Sequence, residues 1–255
     1  MSNMKIAAQL YTVREFTKTP SDIEESFKRI KSIGYDAIQV SAIGPIEHQH
    51  LKDIADSAKL TICATHIGFD RLKNDLDDVI KQHKIWECKY VGLGAMPAEY
   101  RKSFEGYVEF SKVASEYAKM LAESGLRFIY HNHNFEFVKF NGKTGMDILL
   151  GKTDPETFDF EIDTYWIQAG GANPVDWIKK VQGRMKVVHF KDMGAEIDFK
   201  PVMAEVGEGN MNWKAIIDAC HDIGVEWCAV EQDICKRDPF DSLAISLKNL
   251  KEFGL

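Results

Sequence analysis

Four short apolar runs in the second half of the sequence end in histidine, lysine or carboxylate side chains. They end in His131-Asn132-His133, Glu161-Ile162-Asp163, His189-Phe190-Lys191 and Glu231-Gln232-Asp233. Successive side chains of a strand point to opposite faces, so the two ionisable residues of each run share one face. If the runs are neighbouring strands, their ends bring imidazoles and carboxylates together. Such a set can bind a metal ion.

The residue types narrow the choice of ion. Two imidazoles and two carboxylates suit Mn, Co, Fe or Zn better than calcium. The sequence has five cysteines but no CxxC pair, so a catalytic ion with open coordination positions is favoured over a structural zinc site. A single histidine at a strand end is more often a hydrogen-bonded core residue than a metal ligand. The prediction therefore depends on candidates from four successive strands lying together. We predict a divalent ion (Mn, Co, Zn, Fe or Mg) held by His131, Asp163, His189 and Glu231.

The elements that would position these residues repeat along the chain. Segments with helical periodicity lie between most of the apolar runs, for example 21–34, 100–125 and 212–224, and Gly34, Gly125 and Gly224 are predicted left-handed helix caps. Eight such strand-helix units, with no hinge between them, predict one (β/α)8 TIM barrel spanning 1–255. A doubly wound open sheet is the alternative, but its glycine-rich fingerprint is absent. The predicted strands are 5–13, 37–43, 60–68, 90–96, 127–133, 157–166, 185–193 and 226–233.

Composition limits the expected partners and location. The chain has 255 residues and a formal net charge of -7, with acidic and basic residues interleaved, which argues against a nucleic-acid or anionic-membrane partner held by bulk charge. We find no secretory signal in the N-terminal sequence and no apolar run near the ~18 residues of a membrane span. The odd, unpaired cysteines favour a reduced, cytoplasmic enzyme. Cys63, Cys220 and Cys228 are expected in the core.

Four motifs, in their order and spacing, resemble the xylose-isomerase-like TIM-barrel superfamily. They are IDTYW (162–166), HFKD (189–192), VGEGNMNW (206–213) and VEQD (230–233). This superfamily contains sugar phosphate isomerases and epimerases, with relatives such as inosose dehydratase, tagatose epimerase and endonuclease IV. The resemblance implies a divalent metal ion held by an acid from strand five, an Asp from strand six, a His from strand seven and a Glu from strand eight. Asp163, His189 and Glu231 match this pattern.

The chain departs from the apparent relatives at two positions. His131 stands where relatives have a glutamate that is both ligand and acid/base group in the epimerases, which argues against a two-carboxylate mechanism and makes Glu136 a candidate substitute ligand or base. Trp166 stands where relatives have a histidine, and its ring would stack on a sugar face. His133 and Lys191 lie where the dehydratase-like relatives carry a catalytic histidine and lysine.

The step that these relatives share is removal of a proton from carbon next to a carbonyl, with the metal acting as Lewis acid. His133 is the expected base, because an imidazole has a pKa near working pH with little tuning. Lys191 is the expected cation that stabilises the enediolate. Glu136 and Glu231 are further catalytic candidates. The substrate-binding candidates are Trp166, His66, Tyr11 and Gln9.

Four functions are open at this point. A metal-dependent isomerase or epimerase acting on a small sugar or keto-sugar is slightly favoured, because of the superfamily's broad label. A dehydratase or β-eliminating lyase on a keto-inositol or 3-keto-sugar is the alternative, favoured by His131, His133 and Lys191. An abasic-site endonuclease is less favoured, because it needs a basic DNA groove, and so is a barrel that only binds a ligand. The expected partner is a small sugar or polyol. No nucleic-acid or membrane partner is expected, and whether the chain forms a homo-oligomer is left open.

The glycines of the VGEGNMNW loop allow two interpretations. Gly207 and Gly209 either admit a phosphate to backbone N–H groups near the next helix or only permit a tight loop before the helix that begins near Asn212.

Overall fold

The computed structural model describes residues 4–255 and contains a closed barrel of eight parallel strands. Each strand pairs with the next along the chain, and the eighth pairs with the first. The predicted TIM barrel is confirmed and the open sheet is wrong; residues 1–3 of the predicted domain lie outside the described residues. The strands are β1 Lys5–Gln9, β2 Ala37–Val40, β3 Thr61–Ile67, β4 Tyr90–Leu93, β5 Arg127–His131, β6 Phe158–Asp163, β7 Val187–Phe190 and β8 Trp227–Val230.

Helices surround the barrel in the described part of the chain. None of these helices is both long and apolar enough to cross a membrane. Antiparallel hairpins join Lys139–Phe140 to Lys143–Thr144 and Asp192–Ala195 to Pro201–Ala204. The α-helices are α1 Pro20–Ile33, α2 His48–Ser57, α3 Phe69–Asn74, α4 Leu76–Ile85, α5 Phe104–Glu123, α6 Gly145–Lys152, α7 Thr164–Ala169, α8 Pro174–Lys180, α9 Trp213–Asp222 and α10 Pro239–Glu252, and the 3-10 helices are Leu10–Phe16, Ala98–Lys102 and Phe135–Phe137.

Local sequence explains where helix α1 begins and ends. Thr19 and Asp22 form a reciprocal capping box, so two backbone N–H groups of the first turn are bonded. At the other end Gly34 has a φ of 113°, a left-handed conformation that a side chain disfavours. Gly125 and Gly224 also have positive φ after their helices. The three predicted glycine caps are therefore confirmed.

The barrel interior has an apolar layer below a polar one. The apolar layer consists mostly of small side chains, with Tyr90 and Ile129 as the large members. The polar layer above it contains the fully buried residues Gln39, Glu161 and His189. The predicted core cysteines are confirmed, since all three are buried. A buried polar layer at the carboxyl ends of the strands is where a TIM barrel carries its active site.

Candidate active site

The four predicted metal ligands lie together at the carboxyl ends of β5 to β8. One ligand atom from each of His131, Asp163, His189 and Glu231 lies within 4.8 Å of the other three, and all four residues are buried. His131 Nε2 is 3.1 Å from Asp163 Oδ2, and His189 Nδ1 is 3.1 Å from Glu231 Oε2 and 3.8 Å from Asp163 Oδ2. A tetrahedral ion with bonds of ~2.1 Å separates its ligand atoms by roughly 3.4 Å. The observed spacing fits that geometry.

His131 gives an independent test of this fit. Its Nδ1 lies 3.0 Å from the carbonyl oxygen of Gly94, which can only accept, so Nδ1 carries the hydrogen. Burial, with a smaller effect of His189, lowers the pKa of His131, and the ring is therefore neutral. The bare Nε2 then faces a carboxylate oxygen of Asp163 at 3.1 Å. A metal ion bound between these two atoms would satisfy both lone pairs.

The end of β6 orients Asp163 through its backbone neighbours. Asp163 is the N-cap of helix α7, where its Oδ1 accepts the Trp166 backbone N–H at 2.9 Å. Its own N–H donates to Asn132 Oδ1 at 3.0 Å, which ties β6 to the end of β5. With Oδ1 engaged by the helix, Oδ2 is the atom presented to the site.

Lys191 is fully buried beside the cluster. Its Nζ lies 2.6 Å from Glu231 Oε2, 3.0 Å from Asp163 Oδ2 and 3.1 Å from Asp233 Oδ1. Burial acts to lower the pKa of Lys191, but the three carboxylates outweigh it and raise the pKa, so Lys191 remains a cation. Three carboxylates around one ammonium leave two negative charges, the charge that one divalent cation balances.

The charges of His189 and its carboxylate neighbours depend on one another. Burial acts to lower the pKa of His189, but Glu161 and Glu231 outweigh it and raise the pKa to about 10. Burial acts to raise the pKa of Asp163 and of Glu231, yet Lys191 and the histidines hold both below their usual values. Both carboxylates are therefore ionised at neutral pH and available as ligands.

His133 and Trp166 have polar atoms that lack a partner. His133 Nδ1 and Trp166 Nε1 are buried and make no hydrogen bond, and the two rings lie 5.3 Å apart. Burial and the nearby His131 lower the pKa of His133 to about 3. The expectation that this imidazole would have a pKa near working pH is therefore wrong. A buried donor without a partner is costly, and both rings line a pocket where a ligand can supply the missing bond.

Glu136 does not reach the pocket, contrary to the sequence-based suggestion. Its Oε1 accepts from the Tyr130 hydroxyl at 2.5 Å, and its Oε2 accepts from the His133 backbone N–H at 2.9 Å. The residue is fully buried, and burial raises its pKa to about 8. Glu136 thus holds the turn after β5, because both of its carboxyl oxygens bond to groups next to the 3-10 helix Phe135–Phe137, and it does not line the pocket.

The remaining substrate-binding candidates lie on β1, on the 3-10 helix that follows it and on β3. His66 and Tyr11 line a pocket of about 550 Å³ above the cluster, and the Arg14 guanidinium stacks on the Tyr11 ring at 4.2 Å. Gln9 is fully buried, and its Oε1 accepts the Tyr11 backbone N–H at 2.8 Å. Gln9 therefore supports Tyr11 and lies behind the pocket wall.

Sequence reasoning assigned no role to two groups at this site. Asp233 lines the pocket and pairs with Lys191, although only its spacing from Glu231 could have indicated it. Burial and the Glu231 charge raise the pKa of Asp233 to about 6. Gln39 hydrogen-bonds Glu161 across the barrel, and its one signal was a polar residue inside the apolar run AIQVSAI.

The glycine loop binds a carboxylate of the chain itself. The N–H groups of Gly207 and Gly209 donate to Asp192 Oδ2 at 2.8 and 3.0 Å, and Trp213 Nε1 donates to the same oxygen at 2.6 Å. A Cβ at Gly209 would lie 2.4 Å from Asp192 Oδ1, so this position requires glycine. Asp192 occupies the place where a phosphate would be held, and the tight-loop interpretation is the one that the structure supports.

Comparison with known proteins identifies the family. The Xylose isomerase-like TIM barrel family model matches residues 27–252. Inosose dehydratase from Lacticaseibacillus casei is 29% identical over 136 residues, which are 47% of this chain and 45% of that enzyme, so the match spans about half the length of this relative. A sugar phosphate isomerase/epimerase structure from Parabacteroides distasonis has a TM-score of 0.82 at 22% identity, over 98% of both chains.

The IolI protein, whose structure was solved with a bound zinc atom, has a TM-score of 0.71 at 13% identity over 98% of both chains. At these identities the two solved structures show that the fold is shared. The family match over most of the chain confirms the resemblance seen in the four motifs, and the chain belongs to the xylose isomerase-like TIM-barrel family.

Proposed function

We propose that this protein binds one divalent metal ion through His131, Asp163, His189 and Glu231 and removes a proton next to the carbonyl of a small keto-polyol, after which a β-hydroxyl leaves. The observation that carries the proposal is the bare His131 Nε2 facing Asp163 Oδ2 at 3.1 Å inside a cluster of four potential ligands. When bound, the ion would act as a Lewis acid on carbonyl and hydroxyl oxygens of the substrate.

The pocket supports a small, uncharged substrate. Its volume of about 550 Å³ suits a single sugar or cyclitol ring, and the rings of Tyr11, Phe69 and Trp166 offer apolar faces beside polar groups. Lys191 is the one lysine or arginine among the described residues that line it, and its charge is engaged by three carboxylates. Asp192 fills the backbone cradle of the glycine loop. These features support a substrate without a phosphate group.

Three side chains would stabilise charge, transfer a proton or donate a hydrogen bond during the reaction. Lys191 would stabilise negative charge that develops on the substrate oxygen after proton removal. His133, with its unpartnered Nδ1, remains the proposed proton acceptor. Its low pKa makes the protonated ring a strong acid, which suits transfer of the proton to the leaving hydroxyl. Trp166 would donate its free Nε1–H to a substrate oxygen.

The position of Glu136 favours loss of water over isomerisation. A two-carboxylate epimerase needs a second acid/base group, and the candidate for that role, Glu136, is turned away into the turn after β5. The similarity to inosose dehydratase over 136 residues also supports dehydration. A sugar isomerase or epimerase is the second candidate, because both reactions begin with the same proton removal. Two statements stay predictions from the sequence. The protein is predicted to act without nucleic acid or membrane, and a homo-oligomer is left open.

The reaction type is tested by incubating the protein with Mn²⁺ or Co²⁺ and a panel of inososes and keto-sugars in D₂O. We expect a product that has lost one water, and no conversion by Asp163→Ala, which lacks an ion ligand. Deuterium uptake without loss of water would contradict the dehydratase assignment and support the isomerase. Phosphorylated forms of the same sugars, assayed in parallel, test the substrate class. Faster conversion of the phosphorylated forms would contradict the proposal that the substrate is uncharged.

A further inference from the structure

A buried carboxylate lies below the four proposed metal ligands. Glu161 is on β6, two residues before Asp163, and has no exposed surface. Its Oε1 accepts from Gln39 Nε2 at 2.8 Å, and its Oε2 lies 2.5 Å from His66 Nε2. His189 Nε2 lies 3.3 Å from Oε1. Glu161 therefore contacts one proposed ligand and one residue of the pocket wall, and it has no contact with the pocket itself.

The burial of Glu161 needs an explanation. Among the described residues its ion-pair partners are the imidazoles of His66 and His189, without a lysine or arginine. A buried carboxylate costs several kcal/mol unless its charge and hydrogen bonds are satisfied. Burial acts to raise its pKa, but His189 and His66 outweigh it and hold the pKa low. The carboxylate thus bonds to the His66 imidazole and the Gln39 amide, and the His189 imidazole lies beside it at 3.3 Å.

The network determines which nitrogen of His189 faces the ligand cluster. Gln39 donates its amide hydrogen to Glu161, which leaves Gln39 Oε1 to accept from His189 Nε2 at 2.8 Å. Both neighbours of Nε2 are acceptors, so Nε2 carries a hydrogen. When the ring acts as a ligand it is neutral and Nδ1 has the lone pair; Nδ1 is the nitrogen that lies 3.1 Å from Glu231 Oε2.

The same carboxylate fixes His66. Its Nε2 points at Glu161, and its ring stacks on that of His189 with centroids 5.1 Å apart and planes at 22°. The residue after β4 leaves room for the ring, because a Cβ at Gly94 would lie 3.0 Å from His66 Nδ1, whereas a Cβ at Gly92 would first meet the Thr65 backbone oxygen at 2.1 Å. Glycine at position 94 thus keeps the space beside His66 open.

From this arrangement we infer that Glu161 is a positioning residue. Through Gln39 and its own charge it sets the tautomer and ring orientation of His189, and through its hydrogen bond to His66 it sets the orientation of that ring at the pocket wall. The inference rests on the proposed function, since it treats His189 as a metal ligand. Groups that accept from the far nitrogen of a ligating histidine orient the ring, and loss of such outer partners costs ~10- to 100-fold in metal affinity. Here Gln39 is that acceptor, and Glu161 orients it. Glu161 acts through the two histidines and does not bind the ion.

Two variants on the same strand test the inference. Glu161→Gln keeps the size of the side chain but removes its charge and one acceptor. The control Asp159→Asn alters a third buried carboxylate of β6, which is not among the proposed ligands and pairs with Arg127 at 2.6 Å. The readouts are the dissociation constant for Co²⁺ by calorimetry and the visible absorption of bound Co²⁺, which reports ligand geometry. We expect Glu161→Gln to weaken Co²⁺ binding roughly 10- to 100-fold and to change the spectrum. Asp159→Asn should leave both unchanged, even if it lowers the melting temperature.

A second variant keeps the test informative if Glu161→Gln does not fold. Gln39→Met retains the carboxylate but removes the acceptor at 2.8 Å from His189 Nε2, and we expect it to weaken Co²⁺ binding several-fold. Wild-type protein that binds no Co²⁺ would contradict the proposed function itself. Wild-type binding with unchanged affinity and spectrum in Glu161→Gln would overturn only the positioning role. Two ions per wild-type chain and one in Glu161→Gln would also overturn it, because Glu161 would then be a ligand.

Discussion

At the scale of single residues, Lys191 and the proposed ion share the same oxygen atoms. The ammonium contacts Asp163 Oδ2 and Glu231 Oε2, and these are the atoms of the ligand cluster that approach His131 and His189. Two cations bound to one pair of carboxylates repel each other. Lys191 should therefore weaken ion binding while it supplies positive charge for the reaction.

Replacing Lys191 separates these two effects. Lys191→Met keeps most of the side-chain volume and removes the charge, so we expect ion affinity to stay equal or rise. We expect kcat to fall roughly 100-fold or more, because a charged group that stabilises the developing oxyanion is lost. Steady-state kinetics and calorimetric titration with Mn²⁺ give the two quantities.

The matched control is Lys186→Met. Lys186 precedes the same strand, but its Nζ donates to the Gly224 carbonyl at 3.0 Å and lies outside the pocket. We expect its kcat and ion affinity to equal those of the wild type. Activity of Lys191→Met within tenfold of the wild type would contradict the role given to this lysine.

At the scale of elements, the loop 206–213 depends on one carboxylate from the strand end before it. Asp192 follows β7 and accepts from Gly207, Gly209 and Trp213, which fixes the start of helix α9. The loop lies next in sequence to the hairpin formed by Asp192–Ala195 and Pro201–Ala204. Loss of the charge should loosen this loop without changing the barrel.

Asp192→Asn tests that statement. Hydrogen bonds to a charged acceptor contribute ~1.5 to 3 kcal/mol each, and the variant keeps an acceptor oxygen, so we expect the free energy of unfolding to fall by ~2 kcal/mol. Chemical denaturation followed by tryptophan fluorescence measures it, because Trp213 is one of the donors. Asp198→Asn, at the exposed hairpin tip with Lys200 as partner, should change stability by less than ~0.5 kcal/mol. Equal stability of the two variants would argue against this role of Asp192.

The sequence predicted the eight strands and placed four ligand candidates on consecutive ones, because strand alternation and order along the chain are local properties. Most predicted strands extend beyond the carboxyl ends of the observed strands. Residues 10–13, for example, lie in a 3-10 helix whose start is capped by the Gln9 side chain. The sequence could not place Glu136, whose partner Tyr130 is fixed only when the chain turns after β5. It also could not pair Gln39 with Glu161, since these residues are 122 positions apart and meet only when the barrel closes.

At the scale of the whole molecule, barrel closure is what creates the site. β5 to β8 supply the ligand cluster, while β2 and β3 approach from the other side with Gln39 and His66. The interior below is filled mostly by small apolar side chains, with Tyr90 and Ile129 as the large members. Fold, buried charge and pocket therefore meet at the carboxyl ends of the strands, and we propose that a divalent ion binds there.

Metal content tests that claim most directly. The metal content of protein purified without chelator is measured by elemental analysis. Bound metal is then removed, and the protein is titrated with Mn²⁺, Co²⁺ and Zn²⁺. Asp163→Ala is prepared and measured in the same way. We predict one divalent ion per wild-type chain and a higher melting temperature when it is loaded, because an ion that binds only the folded state stabilises it. Asp163→Ala should bind at least roughly 100-fold more weakly, because a charged ligand is lost. Wild-type protein that neither contains an ion nor binds one, or Asp163→Ala that binds as tightly as the wild type, would contradict the account.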